Sequence, residues 1–78
     1  MNWKVETSII ENDDNRIPRL LLHESKGFNT YKSAILYQNE ERNRLITECG
    51  YTSITNDFIL AKNWYNGVYH LFADIAVI

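Results

Sequence analysis

The sequence predicts a small α+β domain in which one helix packs on one face of an antiparallel sheet of about four strands, in the order ββαββ. Three observations indicate this fold. Residues 3–9 alternate between apolar and polar side chains, apolar residues recur at helical spacing between residues 31 and 49, and the pair Asn66–Gly67 separates two alternating segments. With 78 residues, the chain is predicted to be a single domain, 1–78, with a correspondingly small core.

The first two strands are predicted to form a hairpin. Residues 3–9 have the two-residue period of a strand with one solvent-exposed side, and residues 11–16 break the pattern with turn formers. Residues 17–24 form the second predicted strand, with Pro18 near its start because proline cannot donate a ladder hydrogen bond. Residues 25–29 are predicted to be a loop. The side chains that share the apolar face of the first strand are Trp3, Val5, Thr7 and Ile9.

A helix is predicted to follow this loop. Asn29 or Thr30 can cap its first turn, and Gly50 suits the position just past its end. In its charged middle, Glu40 and Arg44 have the i,i+4 spacing of an ion pair on a solvated face. The residues that recur at spacings of three and four are Tyr31, Ala34, Ile35, Gln38, Arg42, Leu45, Ile46 and Cys49.

A second interpretation of the same segment has two strands, residues 33–37 and 45–49, around a polar turn. The helix is favoured because residues 38–44 contain good helix formers and neither glycine nor proline.

The last two strands, residues 58–65 and 68–78, are predicted to form a second hairpin. Asn66 and Gly67 are typical of a type I′ turn, which needs positive φ at both central residues. A two-residue turn there fixes the register, with Trp64 opposite Tyr69. Residues 51–57 are predicted to be a loop or a short strand.

This register sorts the hairpin into a core face and a mixed face. The core face holds Phe58, Leu60, Lys62, Trp64, Tyr69, Leu71, Ala73, Ile75 and Val77. The mixed face holds Ile59, Ala61, Asn63, Tyr65, Val68, His70, Phe72, Asp74 and Ala76. One helix can cover only one side of a sheet, so the apolar part of the mixed face predicts an interaction site.

Two alternatives would cover the mixed face within the monomer. The first hairpin could fold over it as a small sandwich, or residues 51–57 could lie across it. The end of the last strand, residues 73–78, could also pair with a second copy or with a target if it lies at a sheet edge.

Charge and composition argue against several classes of function. Eight Lys and Arg against ten Asp and Glu give a net charge of -2, which is unlike a general nucleic-acid-binding protein. No glycine-rich phosphate loop or nucleophile elbow is present. The histidines His23 and His70 and the single thiol of Cys49 do not make up a zinc site. We therefore expect no enzymatic activity, no cofactor and no metal.

Cys49 is the only cysteine, so no disulfide can form within the chain, and it is expected to be a small core residue. The first residues lack the features of a signal peptide, and no segment has the apolar length of a membrane helix. These observations predict a cytoplasmic location.

In size, in its nine Asn and nine Ile, and in its element order, the chain resembles small accessory proteins of bacteriophages and mobile elements, including some anti-CRISPR proteins and phage antitoxins. The resemblance implies action by binding. The predicted function is a non-enzymatic protein-binding module, either monomeric or homodimeric, that blocks a host defence factor sterically. The predicted partner-binding residues are Ile59, Tyr65, Val68, His70, Phe72, Arg42 and Arg44. The alternatives are a small nucleic-acid-binding protein, which could use Arg16, Arg19, Arg42 and Arg44, and a structural subunit of a larger assembly.

Overall fold

A computed structural model describes residues 2–13, 17–56, 58–64 and 69–78 of the chain, and these contain one helix and five strands in the order ββαβββ. The elements are β1 (Trp3–Asp13), β2 (Arg19–Phe28), α1 (Tyr31–Cys49), β3 (Thr52–Asn56), β4 (Ile59–Trp64) and β5 (Tyr69–Val77). The predicted α+β class is confirmed. The sheet has five strands rather than about four because β3, predicted as a loop or a short strand, pairs with β4.

All five strands belong to one antiparallel sheet with the order β2-β1-β5-β4-β3. The last strand is central. Lys4 and Ile78 exchange backbone hydrogen bonds of 3.0 and 2.8 Å, and β4 pairs along the other side of β5. The alternative that placed the end of β5 at a sheet edge is therefore wrong. The sandwich alternative is also wrong, since the first hairpin extends the sheet instead of covering it.

Two strands are longer than their local sequence predicts. β1 continues through the turn formers at its end because its last four residues pair with β5, as far as Asp13 opposite Tyr69. β2 continues to Phe28, which lies opposite Trp3, so most of the predicted loop at residues 25–29 is strand. In both places, pairing with a distant strand outweighs the local preference for a turn.

The predicted helix is confirmed, and the interpretation of its sequence as two strands is wrong. Thr30 is the N-cap, and its Oγ1 accepts a hydrogen bond of 3.1 Å from the backbone N–H of Ser33. Gly50 follows the helix with φ of 79°, a left-handed conformation that is costly for a residue with a Cβ. Beyond it, the N–H of Tyr51 donates to the carbonyl of Leu45 at 3.1 Å. Both helix ends are thus capped by residues whose side chains or φ angles suit them.

The core lies between α1 and one face of the sheet, where the helix contacts β1, β2 and β5. The predicted core face of the second hairpin is confirmed by its described side chains, with Phe58 and Val77 partly buried at its rim. The side chains of Trp64 and Tyr69 lie outside the described part of the chain. The buried apolar residues are Val5, Ala34, Leu45, Tyr51, Leu60, Leu71, Ala73 and Ile75.

The predicted register of the second hairpin is also confirmed. Six consecutive pairs join β4 to β5, from Trp64 opposite Tyr69 to Ile59 opposite Asp74. The turn residues Asn66 and Gly67, from which this register was predicted, lie outside the described residues.

Gln38 interrupts the apolar stripe of α1 because it bonds to the backbone of the sheet. Its side chain is buried, and Nε2 donates to the carbonyl oxygen of Ile75 at 2.7 Å. β4 begins at Ile59, so this carbonyl lies where the ladder between β4 and β5 ends. The side-chain amide gives this backbone acceptor a donor and ties the helix to the central strand.

Gln38→Leu is expected to lower the free energy of unfolding by about 1–3 kcal/mol, because it leaves the buried Ile75 carbonyl without this donor. Asn39→Ala is the matched control. Its exposed side chain also donates to a backbone carbonyl, that of Ile35, and its loss is expected to cost about 0.5 kcal/mol or less. Urea denaturation measures both values. Equal losses in the two variants would contradict a special role for Gln38.

Candidate protein interaction surface

The sheet face opposite α1, here called the open face, is covered by no described segment of the chain. Its side chains alternate with those of the core, since neighbouring residues in a strand point to opposite sides. Neither the first hairpin nor β3 lies across it, because both are strands of the same sheet. The described residues that form the open face include Glu6, Ser8, Ile10, Leu20, His23, Ile59, Ala61, Phe72 and Asp74.

The strand register brings four apolar residues of the open face into one row. Leu20 lies opposite Ile10, Ile10 opposite Phe72, and Phe72 opposite Ala61. With strands about 4.8 Å apart, the row crosses about 15 Å of the sheet. Leu20 is 58% exposed and Ile10 is 37% exposed, while the other two are half-buried. The row is a continuous apolar strip that solvent reaches most freely at the β2 end.

A polar row runs beside the apolar row. Ser8 lies between His23 on β2 and Asp74 on β5, and on β4 the apolar Ile59 lies opposite Asp74 and ends the polar row. His23 Nε2 lies 3.4 Å from Glu6 Oε2, which joins the first two strands across this face. An apolar strip flanked by polar groups is the composition of many protein interaction surfaces.

The structure places two of the predicted partner-binding residues on the open face. Ile59 and Phe72 are both half-buried there, in adjacent rows. The backbone of His70 lies opposite Asn63 in the same register. Tyr65 and Val68 lie outside the described residues, as does the side chain of His70.

The other two predicted residues, Arg42 and Arg44, lie on α1 and so on the opposite side of the sheet. Arg42 Nη2 donates to Ser53 Oγ at 3.4 Å, and Ser53 is opposite the buried Leu60. One flat partner surface therefore cannot contact both arginines and the open face. The predicted i,i+4 pair also differs, since Arg44 Nη2 donates at 2.8 Å to Glu41, its i−3 neighbour, rather than to Glu40.

Glu41, which the helical stripe did not include, is the buried carboxylate of α1. It accepts from Arg44 and from the hydroxyl of Tyr37, at 3.3 Å. Burial, and then the nearby Glu41 carboxylate, raise the pKa of the Tyr37 hydroxyl above its usual 10.0. The Tyr37 ring packs 5.2 Å from that of Phe28. This network compensates the buried charge and anchors the helix to β2.

A cleft of about 320 Å³ runs between α1 and β2. Val5 and the buried Thr7 form its floor, while Glu24, Lys26 and Tyr37 line its sides. The Lys26 ammonium lies 4.7 Å from the centre of the Tyr37 ring, within range of a cation–π interaction. The cleft is open along β2, so its charged residues, Glu24 and Lys26, lie at the outer edge of the sheet.

Two features are absent from the residues that the structure describes. No three of their histidine, cysteine or carboxylate side chains come together as a group that could hold a metal ion. The helix that they form is not long and apolar enough to cross a membrane.

Comparisons of the chain with protein-family models, with curated proteins and with solved structures find no match.

Ile10 and Leu20 are the open-face residues that the sequence did not single out. Ile10 continues the alternation that places Lys4, Glu6 and Ser8 on the wet side of β1, so its direction could have been predicted. Its position beside Phe72 depends on the pairing of β1 with β5, which no local pattern indicates. Leu20 joins the row only through the irregular register between β1 and β2.

Tyr51→Phe is expected to make thermal stability less sensitive to alkaline pH. Burial is the main cause that raises the pKa of the Tyr51 hydroxyl above 10.0 in the folded chain. The unfolded chain loses this proton first, so the stability that Tyr51 contributes is complete below about pH 10 and is lost as pH rises through the folded pKa. Melting temperatures at increasing pH measure the effect, with Tyr31→Phe as the control because Tyr31 is 54% exposed. An identical decline in wild type and Tyr51→Phe would contradict the expectation.

Proposed function

We propose that the chain is a non-enzymatic protein-binding module that docks through its open face. The observation that carries the proposal is the apolar row of Leu20, Ile10, Phe72 and Ala61 on a face that no described segment covers. A row of this kind in a small domain is more typical of an interaction surface than of a surface kept in water.

The size of the open face supports a protein partner rather than a small molecule. Five strands span about 19 Å across the sheet, and nine residues of a strand span about 30 Å, which gives a projected area of about 600 Å². A standard protein interface buries about 800 Å² on each partner. A partner that contacts the open face and its rim would reach this size, whereas a small ligand needs a concave site.

The mode of action that we propose is steric inhibition of a host defence factor, in the manner of the small phage proteins that the chain resembles in size, composition and element order. In this proposal the protein acts in the host cytoplasm, and the open face occupies a surface that the target needs for its substrate. Arg42 and Arg44 would contribute only to a target that also reaches the helix side of the sheet.

The open face is tested by comparing Ile10→Arg with Ile17→Arg. Ile10 lies in the apolar row, whereas Ile17 is 89% exposed and precedes β2, so the two variants carry the same substitution on and off the surface. Wild type and both variants are immobilised, bacterial lysate is passed over each, and retained proteins are identified by mass spectrometry. Ile10→Arg is expected to lose the specific partner and Ile17→Arg to retain it.

Phe72→Glu, at the neighbouring position in the row, is expected to have the same effect as Ile10→Arg. Circular dichroism melts separate loss of binding from loss of fold, since Ile10→Arg is expected to cost about 1 kcal/mol or less in stability. A partner that binds wild type and both row variants equally would overturn the proposed surface.

The rival function, nucleic-acid binding, is tested by a gel shift with random-sequence DNA and RNA at low salt, where phosphate contacts are strongest. No retardation is expected, because Arg19 pairs with Glu11 at 3.1 Å and Arg44 pairs with Glu41 at 2.8 Å. A strongly basic protein run beside it checks that the gel detects binding. Salt-dependent retardation would favour the rival.

A further inference from the structure

β2 is a long sheet edge that is open to solvent. It runs for ten residues, pairs with β1 alone among the described strands, and is exposed at every residue from Arg19 to Lys26. The opposite edge, β3, has five residues and an irregular register with β4. Short and irregular edges resist pairing with other chains, and long regular edges invite it. The register of β2 with β1 is irregular near Leu20 but regular from Leu22 to Phe28.

The backbone hydrogen-bonding pattern of β1 determines which N–H and C=O groups of β2 point outward. Lys4 and Ile78 exchange both backbone hydrogen bonds, so even-numbered residues of β1 bond to β5 and odd-numbered residues bond to β2. The β2 partners of the odd-numbered residues include Glu24 and Lys26, whose backbone groups therefore point inward. The residues between and beside them direct their N–H and C=O groups to the free edge. These are His23, Ser25 and Gly27.

The side chains along this edge are complementary to those of a second β2 strand that runs in the opposite direction. Leu22, Glu24, Lys26 and Phe28 alternate on the helix side, in the order apolar, acidic, basic, apolar. When a second copy of β2 lies antiparallel about an axis through Ser25, Glu24 of each copy faces Lys26 of the other, and Leu22 faces Phe28. The outward-pointing His23 then lies opposite Gly27, so the two edges can exchange hydrogen bonds.

Neighbouring registers lack this complementarity. A two-fold axis perpendicular to the sheet requires one residue to lie opposite its own copy. An axis through Glu24 places the two Glu24 carboxylates together, and an axis through Lys26 places the two ammonium groups together. Like charges directly opposite each other on adjacent strands are unfavourable. Glu24 and Lys26 together thus favour the register centred on Ser25 over the two registers centred on Glu24 and on Lys26.

We propose that the chain forms a homodimer in which two β2 strands pair antiparallel about Ser25 and create one continuous ten-stranded sheet. The two-fold axis leaves both helices on one side and both open faces on the other. Two ion pairs between Glu24 and Lys26 and two apolar pairs between Leu22 and Phe28 flank the axis. The dimer does not depend on the proposed function, because the β2 edge and the open face are different surfaces.

A charge swap tests the register. Glu24→Lys gives the strand two basic residues, and Lys26→Glu gives it two acidic ones, so each variant alone places like charges opposite each other. Each is expected to associate at least about tenfold more weakly than wild type. An equimolar mixture restores both ion pairs and is expected to dimerise. Analytical ultracentrifugation up to about 1 mM measures all four samples.

Hydrogen exchange in wild type gives a second measurement that needs no variant. The amides of Glu24 and Lys26 are expected to be protected at every concentration, since they bond to β1. Those of His23, Ser25 and Gly27 are expected to gain protection only as concentration rises. A wild type that stays monomeric at the highest concentration, or a dimer that neither single variant weakens, would overturn the proposal. Neither result bears on partner capture by the open face.

Discussion

The pairing of β1 with β5 is the constraint on which the rest of the structure depends. It joins the two hairpins into one sheet, and it makes β5 a central strand bonded on both sides. The core then follows, because this pairing places Val5 opposite Val77 and Thr7 opposite Ile75 on the face that the helix covers. The same pairing aligns Ile10 with Phe72 on the opposite face. One set of backbone hydrogen bonds thus organises both the buried and the open side of the sheet.

Features governed by short-range chemistry could be predicted from the sequence. The cap at Thr30, the left-handed Gly50 and the face of each hairpin strand depend on nearby residues or on strict alternation. Features that depend on distant pairing could not. The turn formers at the end of β1 and the loop-like segment at the end of β2 are strands because another strand lies beside them, and local preference carries no information about that neighbour.

The candidate surface likewise combines features that could be predicted from the sequence with features that could not. The direction of Ile59 and Phe72 away from the core follows from the hairpin register, so the sequence could indicate it. The separation of Arg42 and Arg44 from that face depends on which side of the sheet the helix covers. The predicted stripe of α1 also omits Glu41, whose buried carboxylate accepts hydrogen bonds from Tyr37 and Arg44. The spacing of apolar residues along a helix does not reveal a buried carboxylate that is compensated in this way.

The junction between the first and last strands also has a kinetic consequence. Its pairs connect residue 5 to residue 77 and residue 13 to residue 69, whereas each hairpin joins segments that are close along the chain. Closing so long a loop costs entropy before any of its contacts form, and chains rich in such contacts fold slowly. Until the hairpins meet, the inner edges of β1 and β5 are exposed strand edges, which are prone to pair with other chains. Refolding yield should therefore depend on protein concentration even where the native state is well formed.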